Sequence, residues 1–133
     1  MDEILGCYVM GFTYLASPFE HKNPDVMEAR CESVRLITSS LVAKGDVVFS
    51  PIAYTENSEL PEPPQGWLKF DLAMLECADL LLIACMPGHQ DSAGVKQEIE
   101  FAKQHDIKTK TLEPKIIQAI IGETLWERSK GNV

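Results

Sequence analysis

Neither G-x-G-x-x-G nor G-x-x-x-x-G-K-[ST] occurs in this chain, so the two commonest phosphate-cradling fingerprints are absent. No C-x-x-C pair occurs among Cys7, Cys31, Cys77 and Cys85, which removes the usual spacing of a zinc site or dithiol motif. Each of the four lies in an apolar stretch and is expected as a reduced core residue, which implies a cytoplasmic protein. His21, His89 and His105 lack helical metal-ligand spacing, and no metal or organic cofactor is assigned. The longest apolar run, Leu80 to Met86, is far too short to cross a bilayer. Basic residues are scarce: 12 Lys and Arg stand against 20 Asp and Glu, a net charge of -8. That balance argues against a nucleic-acid polymer as partner, because phosphate backbones select basic surfaces. A small nucleotide, needing only a local set of donors, is not excluded.

What is present fits one globular domain. The 133 residues are 45% apolar and 24% charged, enough chain to bury a real core. Asp2 and Glu3 stand where a signal peptide carries basic residues. Residues 1–11 are read as an N-terminal extension, with Met10 as a possible second start, 12–128 as the domain and 129–133 as a flexible tail.

Phe12 to Ala16 reads as a short buried strand. Asn23 and Pro24 open a helix, as N-cap and first helical residue, that runs to Lys44 and stops at Gly45. Val47 to Ile52 reads as a second strand, and Ala53 to Gln65 as a loop whose length suits a functional lid. Gly66 to Cys77 has helical spacing. Asp79 to Met86 is continuously apolar, as a central parallel strand covered on both faces would be. Gly94 to Gln104 is expected as helix, Ile107 to Thr111 as a weaker strand, and Glu113 to about Arg128 as one last helix. Strands alternating with helices give an α/β fold: a Rossmann-like three-layer sandwich with a mainly parallel sheet of four or five strands. The apolar last helix (Ile116, Ile117, Ile120, Ile121, Leu125, Trp126) carries more apolar surface than one sheet face requires, which reads as interface or as core.

Polar residues gather where strands end: Tyr14, Ser17 and Pro18; Ser50; Ser92, Gly94 and Glu98; with Asp71 on the helix before the third strand. Helix phase separates the carboxylates of the later helix. At 100° per residue, Val95, Ile99 and Ala102 define a buried face, with Glu98 roughly 65° and Glu100 roughly 130° from its centre. Glu98 therefore stands at the edge of the core, where a carboxylate is partly desolvated and suited to act as nucleophile or base. A Glu whose stem packs while its head reaches water fits the same position. Ser92 suits an N-cap, Tyr14 a core-edge aromatic, Asp71 a charge near a helix N-terminus, and Trp67 either packing or stacking on a base.

Four segments together carry a resemblance: YLASPF at 14–19, FSPI at 49–52, W-x-x-x-D at Trp67 to Asp71, and P-G-x-x-x-S-x-G-V-x-x-E at Pro87 to Glu98. They resemble the DUF1937-type proteins of the nucleoside 2-deoxyribosyltransferase-like superfamily, which also holds deoxynucleoside 5′-monophosphate N-glycosidases. The resemblance implies retaining attack on the glycosidic bond of a 2′-deoxynucleoside or its 5′-monophosphate, ending in hydrolysis or deoxyribosyl transfer. Glu98 matches the family nucleophile, Asp71 the group that protonates or orients the departing base, and Tyr14 the tyrosine that hydrogen-bonds nucleophile or sugar. Ala16, Ser17, Pro18, Phe19, Trp67, Ser92, Gly94 and Val95 would contact substrate. The position six before the nucleophile is commonly Asp in superfamily members acting on nucleosides and Ser in the monophosphate enzymes, and here it is Ser92. Two departures stand out. Phe19 occupies the place of a phosphate-binding Arg, whose charge would have to come from Lys22, Arg30 or Arg35, and Tyr54 stands where the pattern usually has His. The resemblance further implies a homodimer or larger homo-oligomer. The competing expectation is a nucleotide-binding or sensing module of the same fold without turnover.

Overall fold

The computed structural model describes residues 11–55 and 64–131. Four strands, β1 (Thr13–Ala16), β2 (Val48–Phe49), β3 (Leu80–Ala84) and β4 (Lys108–Leu112), form one parallel sheet in the order β2-β1-β3-β4. Helices α1 (Pro24–Ala43), α2 (Pro51–Thr55), α3 (Pro64–Glu76), α4 (Ala93–Gln104), α5 (Pro114–Ile121) and α6 (Glu123–Lys130) complete the described chain. The α/β sandwich with a parallel sheet is as expected, at the four-stranded end of the range.

Strand alternation divides the core in two. Leu15 and Ala84 point to one face, against Val34, Ile37, Ile117 and Trp126 of α1, α5 and α6. Tyr14, Ala16, Leu81 and Ile83 point to the other, against Leu75 of α3 and Val95 and Ala102 of α4. The helix after β1 thus lies on one face and the helix after β3 on the other. β1 and β3 are neighbours, so their carboxyl ends flank the switch point at which α/β sheets open a crevice.

The ends of α1 fall where the sequence puts them. Asn23 Oδ1 accepts the Asp25 amide at 2.9 Å, Pro24 occupies the first turn, and the chain turns away at Gly45. Asn23→Ala is expected to cost about 1 kcal/mol, read as a lowered midpoint of thermal unfolding.

Several expectations are corrected. The second strand shrinks to Val48–Phe49, because Pro51 starts α2 and the buried Ser50 accepts the Ala53 amide at 3.2 Å as its cap. The expected 53–65 loop is accordingly part helix, and its residues 56–63 lie outside the description. The single last helix is two, broken at Gly122, whose φ of 89° a helix cannot hold. Ile117, Ile121, Leu125 and Trp126 are buried core and Ile120 packs against them, leaving Ile116 as the exposed member of the expected interface. Helix α6 runs through the buried Ser129 to Lys130, so the expected tail does not begin at 129. Among the cysteines, Cys31 is buried, Cys85 half-buried and Cys77 exposed, so the core reading fails for Cys77. Cys7 and the Met10 question lie outside the described residues. No described helix is long and apolar enough to cross a membrane.

Candidate active site

Two elements distant in sequence meet above the switch point. Tyr14, fully buried in β1, donates its hydroxyl to Glu98 Oε2 of α4 at 2.6 Å. The short distance is that of a charge-assisted bond to a carboxylate. Glu98 is half-buried and Glu100 exposed, the division that the helix phase implies.

Burial pushes the Glu98 carboxyl up to about 7, against the Tyr14 bond, which favours its charged form; nearby Asp71 pushes it further up. Asp71 itself rises to about 6 through burial. It sits in the middle of α3, not at a helix start, so its reading as an N-terminal charge fails. Its Oδ1 is buried without a hydrogen-bond partner, a polar atom that a donor on a bound molecule would satisfy. Burial and the Glu98 carboxylate hold the Tyr14 hydroxyl far above its ordinary range, so it stays a donor at every working pH.

A wall of aromatic rings leads outward from Tyr14. Phe49 of β2 lies 5.6 Å from it between centroids, and Tyr54 of α2 lies 5.6 Å beyond Phe49. Tyr54 stacks on Phe70 at 5.7 Å and 11°, while Trp67 meets both edge-on. Tyr54 is 58% exposed and Phe70 37%, so the outer rings present open apolar surface beside the carboxylates. Phe49, Tyr54 and Phe70 were not among the expected site residues. The sequence signals for them are the FSPI segment at Phe49, the departure from the family pattern at Tyr54, and the i, i+3 spacing of Trp67 and Phe70 on α3.

The loops place the remaining candidates. Ala16 and Pro18 are buried, Phe19 is half-buried, and Ser17 is buried with its Oγ unpartnered. Ser92 is the N-cap of α4: its Oγ accepts the Val95 amide at 3.2 Å. That bond occupies the Val95 N–H and leaves the Ser92 hydroxyl proton free to donate. Gly94, one residue earlier in the first turn, keeps one of the helix's orphan amides. His21 Nδ1 accepts the Asn23 amide and His89 Nδ1 lies 2.9 Å from Met86 O, so each ring serves its own loop. Of the cations considered for a phosphate, Lys22 and Arg35 are exposed, and Arg30 is buried with its guanidinium on backbone carbonyls. Among the described residues no cluster of His, Cys, Asp and Glu has the makings of a metal site.

No curated protein matches the chain. A family model described as a domain of unknown function, DUF1937, matches residues 11–113, from two residues before β1 to the residue after β4. With the greater part of its length inside that match, the chain belongs to the DUF1937 family.

Proposed function

We propose that this protein cleaves the N-glycosidic bond of a 2′-deoxynucleoside or its 5′-monophosphate, by hydrolysis or by transfer of the sugar, with Glu98 as nucleophile. The observation that carries the reading is the Tyr14–Glu98 pair: a desolvated carboxylate held at one oxygen, near the switch point of the sheet, beside a second carboxyl with an orphaned oxygen. With Oε2 held by Tyr14, Oε1 attacks C1′ of the sugar. The base departs with the glycosidic electron pair and takes a proton from Asp71. Water, or a second base, then attacks C1′, releases the Glu98 carboxylate and returns a proton to Asp71. The aromatic wall offers flat apolar surface to the departing base. The resemblance to the deoxyribosyltransferase-like superfamily supports the same assignment of roles.

Ser92 and the Gly94 amide are the donors a 5′-phosphate would meet, and neither carries charge. A panel of deoxynucleosides and their monophosphates, assayed for free base by chromatography, tests the reading. Base release from at least one member is expected, and release from none sinks it. The half-buried Phe19, in place of a phosphate-binding Arg, favours a second reading, a nucleotide-binding module without turnover. Saturable binding by calorimetry with no base release from the panel selects it. A homo-oligomer belongs to the proposal on resemblance alone, since the apolar faces of α5 and α6 are spent on the core. A monomeric mass by light scattering at micromolar concentration would count against it.

A further inference from the structure

The loop between β3 and α4 carries Ser92 and sets the start of the helix that holds Glu98. A cavity of about 240 Å³ undercuts it, between Met86–Asp91 on one side and Pro114 and Trp126 on the other. A charge packs beside it. Arg30 of α1 is only 6% exposed and reaches three segments that are far apart in the chain. Its Nε donates to Ser129 O near the end of α6 at 3.1 Å, and its Nη1 donates to Glu20 O in the loop after β1 at 2.9 Å. Its Nη2 fills the space at Gly88 in the β3–α4 loop where a Cβ would stand. Gly88 has a φ of 91°, so this position suits glycine on conformational as well as steric grounds.

A buried guanidinium held by carbonyls is costly unless its surroundings are fixed. Here the C-terminal end of α6 supplies the negative end of a helix dipole as well as a carbonyl. The hydroxyls of Ser33 and Ser129 lie 3.3 Å apart and lock α1 to α6 beside it. The β1–α1 loop is thus hydrogen-bonded to the guanidinium and the β3–α4 loop packs against it at Gly88, while the anchor, α6, lies outside residues 11–113 of the family match.

We propose that Arg30 is a positioning residue, which uses α6 as a fixed post to hold the β1–α1 and β3–α4 loops in register and so sets the start of α4 at the candidate site. It rests on the location of that site, and only its kinetic arm rests on the proposed reaction.

Hydrogen exchange on the full chain, followed peptide by peptide, tests this without turnover. In Arg30→Lys, which keeps the charge but loses the fork, amides across 86–92 and 18–22 are expected to exchange about tenfold faster or more, with β1, β3 and α3 at wild-type rates. In Arg30→Ala, millimolar guanidinium ion is expected to restore slow exchange in both loops, and sodium chloride at equal concentration is not. Should the alanine variant fail to fold, the lysine variant decides alone. Unchanged loops overturn the proposal, and so does equal acceleration over the whole chain, the mark of a contribution to global stability alone. If the wild type releases base, Arg30→Lys is expected to lower kcat more than it changes KM, and an unchanged kcat overturns the positioning role. If the wild type releases none, the reaction fails and the exchange result still stands.

Discussion

Glu98→Gln is expected to reduce base release by about a thousandfold or more, because an amide oxygen cannot form and then release a glycosyl ester. The substitution keeps shape, and Tyr14 still has an oxygen to donate to. A loss of fold is therefore not the expected cause, and unfolding experiments can show it. The sign of the stability change follows from the carboxyl itself. Its folded value, about 7, lies above the ordinary 4.5, so the folded state binds this proton more tightly than the unfolded chain does. The stability from that protonation is fully present below the unfolded value and is lost as pH rises through about 7. Above that, the native state carries a desolvated charge at a cost of roughly 3 kcal/mol. The neutral variant escapes this cost. Thermal unfolding of Glu98→Gln should accordingly match the wild type in acid, gain on it as pH rises from about 4.5 to about 7, and hold that gain unchanged above. A variant that is inactive but shows no alkaline gain would mean that Glu98 is not the desolvated group described here. A variant that keeps its activity would remove Glu98 as nucleophile.

How much of this was legible in the sequence varies with the distance over which each feature is determined. Local signals held. Asn23 and Pro24 open α1 through contacts within one turn, and the phase of Val95, Ile99 and Ala102 turned Glu98 inward and Glu100 outward. Competition between local signals misled twice. Val47 to Ile52 has the β-branched and aromatic character of a strand, but Pro51 gives no amide to a ladder and starts a helix that Ser50 caps. The apolar period continues across Gly122, so only its backbone angle separates α5 from α6. What periodicity could not show at all was convergence. Tyr14 and Glu98 are 84 positions apart and Arg30 and Ser129 are 99 apart. The aromatic wall draws on β1, β2, α2 and α3, and no window of sequence contains it. Excess apolar surface in the last helices read as an interface or as core, and the structure makes it core because Ile117, Leu125 and Trp126 cover Leu15 and Ala84.

Tyr14→Phe separates the role of the hydroxyl from that of the ring. The ring is core: it is fully buried and lies 5.6 Å from Phe49, and phenylalanine keeps both features. Only the bond to Glu98 Oε2 is lost. That bond favours the carboxylate over the acid, so its removal is expected to raise the Glu98 value further above about 7. At neutral pH a smaller share of the enzyme then carries the attacking charge, and Oε2 is no longer held in place. A charge-assisted bond of this kind contributes about 1.5–3 kcal/mol, which sets the expected loss at neutral pH at about tenfold to a hundredfold. Part of that loss returns as pH is raised, because ionisation recovers while positioning does not. The wild-type profile is expected to need one proton on the Glu98–Asp71 pair, carried by Asp71 in the reactive form although Glu98, at about 7 against about 6, holds it more of the time. Activity falls in acid when both carboxyls are protonated and in alkali when both are charged. In Tyr14→Phe the acid limb moves to higher pH. The hydroxyl itself does not titrate within this range, since burial and the adjacent carboxylate both hold its proton on. A profile that loses its alkaline limb instead would make Tyr14 the proton donor and displace Asp71 from that role. A profile and rate equal to wild type would show that the 2.6 Å bond plays no part in the chemistry.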